Sequence, residues 1–124
     1  MSSVAAYAMV LLTVLLTAYG QFAVKWQVLR AGPVPEALPD KLAYVMGLLL
    51  NPWILSSFLA AVLASVSWML AMSRLELSHA YPITALTFVL VAIGSRALFE
   101  EPLSIYKVVG LILIIAGIIV STRG

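Results

Sequence analysis

The chain has 124 residues, 64% of them hydrophobic and 10% charged, with a net charge of +2 and a mean hydropathy of +1.12. A soluble domain of this size needs far more charge to cover its surface, so the composition excludes one. The small net charge offers no footing for nucleic acid, and the lack of cysteine excludes a disulfide framework or a thiolate metal site.

The charges are clustered, and long uncharged stretches lie between them. Crossing a bilayer core of about 30 Å takes about 20 apolar helical residues. Val4 to Val24 meets that length without a charge. In lipid every backbone polar group must be bonded within the segment, so such a stretch is a helix rather than a strand. It does not read as a cleavable signal, because a basic leading segment is missing and the apolar run is too long. Thr13, Thr17, Gln21 and Lys25 recur at a spacing of four and form one slowly drifting polar face, with Gly20 beside it. Packing between helices accounts for threonines on such a face. A lipid-facing Gln21 or Lys25 is costly, so these two are expected to point into protein or a water-filled cleft.

Ala31-Gly32-Pro33-Val34-Pro35 ends the first helix. A short helix is expected over Lys41 to Leu50, N-capped by Asp40. At about 15 Å it is half a membrane long. It therefore reads as interfacial or re-entrant, or as a bent extension of the next helix. Asn51-Pro52 interrupts it and starts the second span, Trp53 to Ser73, with Asn51 as cap, Pro52 in the first turn and Trp53 at headgroup level. The third span, Leu77 to Ser95, holds a single histidine, His79, without a second ligand at metal spacing. Tyr81, Thr84 and Thr87 give it a polar face. Tyr81 reads equally as an interfacial anchor, and Pro82 frees backbone groups for a cavity if the helix begins before it. Arg96 and Glu100 follow at its end, where solvation or a structural ion pair accounts for Glu100. Glu101-Pro102 is expected to open the fourth span, Leu103 to Thr122, with Pro102 in its first turn and the acids at its positive end. Gly110 and Gly117 share a face there and permit close approach of another helix.

The expected fold is thus all-α and integral to the membrane: four transmembrane helices, one short interfacial or re-entrant helix between the first two, and a single domain over residues 1–124. Lys/Arg placement leans towards the first and third loops being cytoplasmic, by a bias small enough to allow dual insertion. No nucleophile–base set, phosphate loop or paired carboxylate within a cavity is visible, so neither catalysis nor a cofactor is expected. One subunit offers little interior volume, and a dimer joined through the fourth helix supplies more.

Gly20-Gln21 with Lys25, Ser78-His79-Ala80-Tyr81-Pro82, Glu101-Pro102 and Gly110 to Gly117 together resemble the small four-helix members of the drug/metabolite transporter superfamily. Within it, the chain is more similar to the aminoarabinose-phosphoundecaprenol flippase subunits than to the small multidrug resistance exporters. Those exporters carry a proton- and cation-binding glutamate in helix 1; aligned on Gly20 and Lys25 it falls at Thr17, so that carboxylate is missing here. The resemblance implies a bacterial inner-membrane, multi-pass flippase in lipopolysaccharide biosynthesis that moves a polyprenyl-phosphate-linked sugar between leaflets. It also implies a homodimer, or a heterodimer with a paralogous subunit. Gln21, Lys25, Tyr81, Arg96 and Glu101 are the candidate substrate-binding residues, with membrane lipid and the lipid-linked sugar as partners. Export of a small molecule or cation, and a non-transporting scaffold for a glycosyltransferase, are the alternatives.

Overall fold

A computed structural model describes residues 1–124, and every regular element in it is helical. Helix α1 (Ser3–Ala31) is capped by Ser2, whose hydroxyl accepts from the Ala5 N–H, and ends at Gly32 with φ 81°. Its 29 residues span about 44 Å, longer than the hydrocarbon core it would cross. Helix α2 (Leu38–Leu49) starts earlier than expected: Ala37 is the cap and Asp40 sits inside the first turn. Pro39 explains the shift, because a proline in the first helical turn forfeits no hydrogen bond. Helix α3 (Pro52–Met72) begins as expected, with Asn51 Oδ1 accepting from the N–H groups of Trp53 and Ile54.

The third hydrophobic stretch is one turn of α-helix, α4 (Leu77–Ala80), a 3-10 segment over Tyr81–Ala85, and helix α5 (Leu86–Phe99). Pro82 lies within the 3-10 segment, where it has no N–H to give to an α-helical ladder. Glu100 ends α5 in a left-handed conformation, with φ 55° and ψ 28°. Residues 101–104 are not helical, and α6 (Ile105–Ser121) is capped by Ser104, whose hydroxyl accepts from the Lys107 N–H. The expectation that Pro102 opens this helix is thereby corrected: a serine cap two residues later satisfies the free N–H groups that a proline cannot. Ser3–Ala31, Pro52–Met72 and Leu77–Phe99 are long and apolar enough to cross a membrane, and α6 is a shorter apolar helix of 17 residues.

The tightest packing is between α1 and α3. Thr13 pairs with Ala64, Tyr19 with Ser56, and Gln27 with Asn51, so the two helices run antiparallel. Their contact stripes are mostly small residues, including Ala6, Ala18 and Ala23 on α1 and Ser57, Ala60, Ala64, Ser67 and Ala71 on α3. Small side chains let backbones approach closely, which is how helices gain van der Waals contact where lipid removes the hydrophobic drive. The hydroxyls of Ser57 and Ser67 donate to the carbonyls of Ile54 and Leu63, so burial leaves neither unpaired. At one end Val10, Ala71 and Ala80 form the fully buried centre, flanked by Met9, Trp68 and Ile83.

Helix α5 joins this pair along α1. Gly94 makes room for Phe22 of α1: a Cβ there would overlap Cζ of that ring. The Phe22 ring also meets Phe99, with centroids 6.4 Å apart. Neither α5 nor α6 buries a residue within the chain, and on α6 a Cβ on Gly110 or Gly117 would meet open space.

Candidate functional site

Between α1, α3, the 3-10 segment and α5 lies a groove of about 1180 Å³, with residues 101–103 and Lys107 closing one end. The polar face of α1 forms its floor. Thr13, Thr17, Gly20 and Gln21 line it, as do Tyr81, Thr84 and Thr87 from the facing wall. The placement follows from periodicity: residues three and four apart stack on one side of a helix, so each polar series faces the same space.

These polar groups differ in what they offer. The Thr13 hydroxyl donates to the Met9 and Ala64 carbonyls, and the Thr17 hydroxyl to the Thr13 carbonyl. The Thr84 hydroxyl donates to the Tyr81 carbonyl at 2.5 Å. Their hydrogens are committed to backbone, and only lone pairs face the groove. Gln21 and Tyr81 are exposed to the groove with their side-chain donors uncommitted.

Charge is concentrated at the end near residues 101–107. Lys25 Nζ lies 3.5 Å from Glu101 Oε1, both side chains being roughly half exposed. Glu101 lines the groove, and its N–H donates to the Ser95 carbonyl, which holds the loop against α5. Lys107 also lines the groove, with Nζ donating to the Pro102 carbonyl at 3.3 Å. Two lysines and one carboxylate leave this end with a formal excess of one positive charge. The place of Lys107 in the groove depends on the fold of residues 100–104.

The structure brings Gln21, Lys25 and Glu101 to the same region and puts Tyr81 elsewhere. Tyr81 packs edge-on against Trp68, with centroids 5.9 Å apart, and Trp68 packs on the cluster around Val10. Val10 to Gln21 is about 16 Å along the helix axis. Tyr81 therefore lies at the opposite end of the groove from Lys25, too far for both to hold one phosphate. Arg96 is exposed on α5 and is not among the residues that line the groove. Gln27, which the sequence did not single out, is buried against α3. Its Oε1 accepts from Asn51 Nδ2 at 3.0 Å, while its Nε2 has no partner.

The family model described as "Putative transmembrane family 234" matches residues 26–122. A protein of Pseudomonas aeruginosa strain UCBPP-PA14, named "Probable 4-amino-4-deoxy-L-arabinose-phosphoundecaprenol flippase subunit ArnE", is 34% identical over 121 residues, covering 94% of this chain and 96% of that protein. Its namesake in Pseudomonas paraeruginosa strain PA7 is 36% identical with the same coverage. That of Aeromonas salmonicida is 39% identical over 69 residues, covering 56% of this chain and 60% of its own. No solved structure matches. With three helices fit to cross a bilayer, and with such relatives along nearly its whole length, this multi-pass membrane protein belongs to transmembrane family 234 and to the family of the ArnE flippase subunits.

Proposed function

We propose that this protein is one subunit of a flippase that moves a polyprenyl-phosphate-linked sugar, or a related anionic glycolipid, between leaflets of the bacterial inner membrane. The observation that carries this reading is the groove: a polar floor along α1, a cationic end at Lys25 and Lys107, and walls otherwise largely apolar. A phosphate leaving water needs a cation and directed donors, and Lys25, Lys107 and Gln21 supply them at one end. Tyr81 and the lone pairs of Thr13 and Thr17 then give the sugar polar contacts further along. The polyprenyl tail stays in the bilayer and needs no pocket. The names carried by the Pseudomonas relatives support the same substrate class.

In this reading α6 is the fourth crossing, since its 17 residues reach about 26 Å, the short end of what a span requires. Helix α2 lies in the interface, its exposed Leu38, Leu42, Val45, Met46 and Leu49 turned to lipid. The second subunit, a copy or a paralogue, packs on the glycine face of α6. Translocation of 4-amino-4-deoxy-L-arabinose-phosphoundecaprenol in proteoliposomes tests the proposal, using the protein purified with whatever subunit accompanies it. The expected result is a rate well above that of protein-free vesicles. Unaccelerated translocation together with proton-driven uptake of quaternary cations would replace this reading with an exporter.

A further inference from the structure

A second hollow, of about 350 Å³, lies on a different face of α1 and shares no lining residue with the groove. Its lining is wholly hydrophobic and mostly aromatic: Tyr19, Phe22 and Trp26 from α1, Trp53 from α3 and Phe99 from α5. Two aromatic pairs fix its walls. Trp26 and Trp53 meet edge-to-face with centroids 5.2 Å apart, and Phe22 leans on Phe99. One helical turn beyond Trp26, the Arg30 guanidinium sits 5.6 Å from the centre of the Trp26 ring. Arg30 has no acidic partner, because the chain's one ion pair joins Lys25 to Glu101.

We infer that this hollow and Arg30 form a binding site for one resident anionic membrane phospholipid, distinct from the transported lipid. The acyl chain lies among the five rings and the phosphate on the guanidinium. A planar guanidinium presents a fork of N–H groups that matches a phosphate diester, and stacking on Trp26 holds that fork in place. Tryptophan pairs are favoured at headgroup depth, which sets the phosphate beside Arg30 and the chain below it. Charge complementarity selects an anionic lipid over a zwitterionic one: an arginine without a carboxylate gains from a net negative headgroup. A lipid seated here does not occupy the groove, because α1 stands between the two spaces. The inference does not depend on what the groove transports.

Tryptophan fluorescence reads the site directly. With Trp68→Phe as background, the remaining reporters are Trp26 and Trp53, both in the hollow. The assembled protein is reconstituted with brominated phosphatidylglycerol or brominated phosphatidylcholine, and quenching is measured for each. We expect phosphatidylglycerol to be preferred by about five-fold, the effect of one cation at a membrane surface. Arg30→Gln should remove the preference and keep quenching by both lipids. Arg96→Gln, an exposed cation on α5 outside the hollow, should leave the preference intact. Equal quenching by both lipids in the unaltered site, or equal loss in the two arginine variants, would overturn the inference. So would the absence of quenching by either lipid, which would mean that a protein subunit covers the hollow.

Discussion

Lys25 carries the sharpest expectation among single residues. Its ammonium is shared with Glu101 at 3.5 Å in a half-exposed setting, so the pair itself contributes little stability. Its value lies in presenting a cation at the groove's end. Lys25→Gln should therefore fold normally and bind the lipid-linked sugar about 10- to 100-fold more weakly, the range for losing one hydrogen bond to a charged group. Lys25→Glu should be worse, because two carboxylates would then face the phosphate. Equilibrium binding in detergent, with folding checked by circular dichroism, measures both; near-native affinity in both variants would make Lys25 a mere interfacial anchor. Gly94 yields a structural counterpart. An added Cβ would overlap the far end of the Phe22 ring, which must then shift against Phe99, so Gly94→Ala should destabilise by about 1–3 kcal/mol. Thermal unfolding should show the loss, and Phe22→Leu in the same chain should recover part of it. An unchanged midpoint for Gly94→Ala would show that Phe22 has room to move.

Among the elements, α6 is an apolar helix that its neighbours within the chain leave uncovered. It buries nothing, and its glycines face open space. Gly117→Leu should therefore leave the subunit's own fold unchanged while weakening association severalfold, as small residues at a helix contact are lost. Energy transfer between labelled subunits in vesicles measures this, and unaltered association would move the contact to another face. Much of the element map was legible in the sequence. Asn51-Pro52 specifies a cap and a first turn locally, and both are observed. The start of α6 was not legible, because Pro102 and Ser104 are both acceptable helix openers. The choice was made by Glu100, whose left-handed turn sends the chain back to Ser95 before helix can resume. The start of α2 was misread for the same reason: Asp40 caps well in isolation, but Pro39 is already inside the helix.

For the molecule as a whole, what emerges is a tightly joined α1–α3 pair with α5 leaning on it, an outlying α6, and a groove whose polar floor is written into α1. The spacing of Thr13, Thr17, Gln21 and Lys25 showed that they share a face, and all but Lys25 line the groove while Lys25 meets Glu101 at its end. Periodicity along one helix does not tell the relative height of residues on two helices. Hence the depth of Tyr81, set by Trp68 and the packing around Val10, had to come from the fold. Gln27 was missed for a related reason: its partner Asn51 had already been assigned to capping α3, and the one side chain does both. The separation of Gln21 from Tyr81 turns the groove into a path with two ends rather than a single pocket. Site-specific photo-crosslinking tests it most directly, with a photoreactive residue placed at position 21, at position 81, or at position 26 on the other face of α1. During translocation of the lipid-linked sugar, adducts are expected from positions 21 and 81 and not from position 26. Undiminished translocation with no adduct from either groove position would contradict the account.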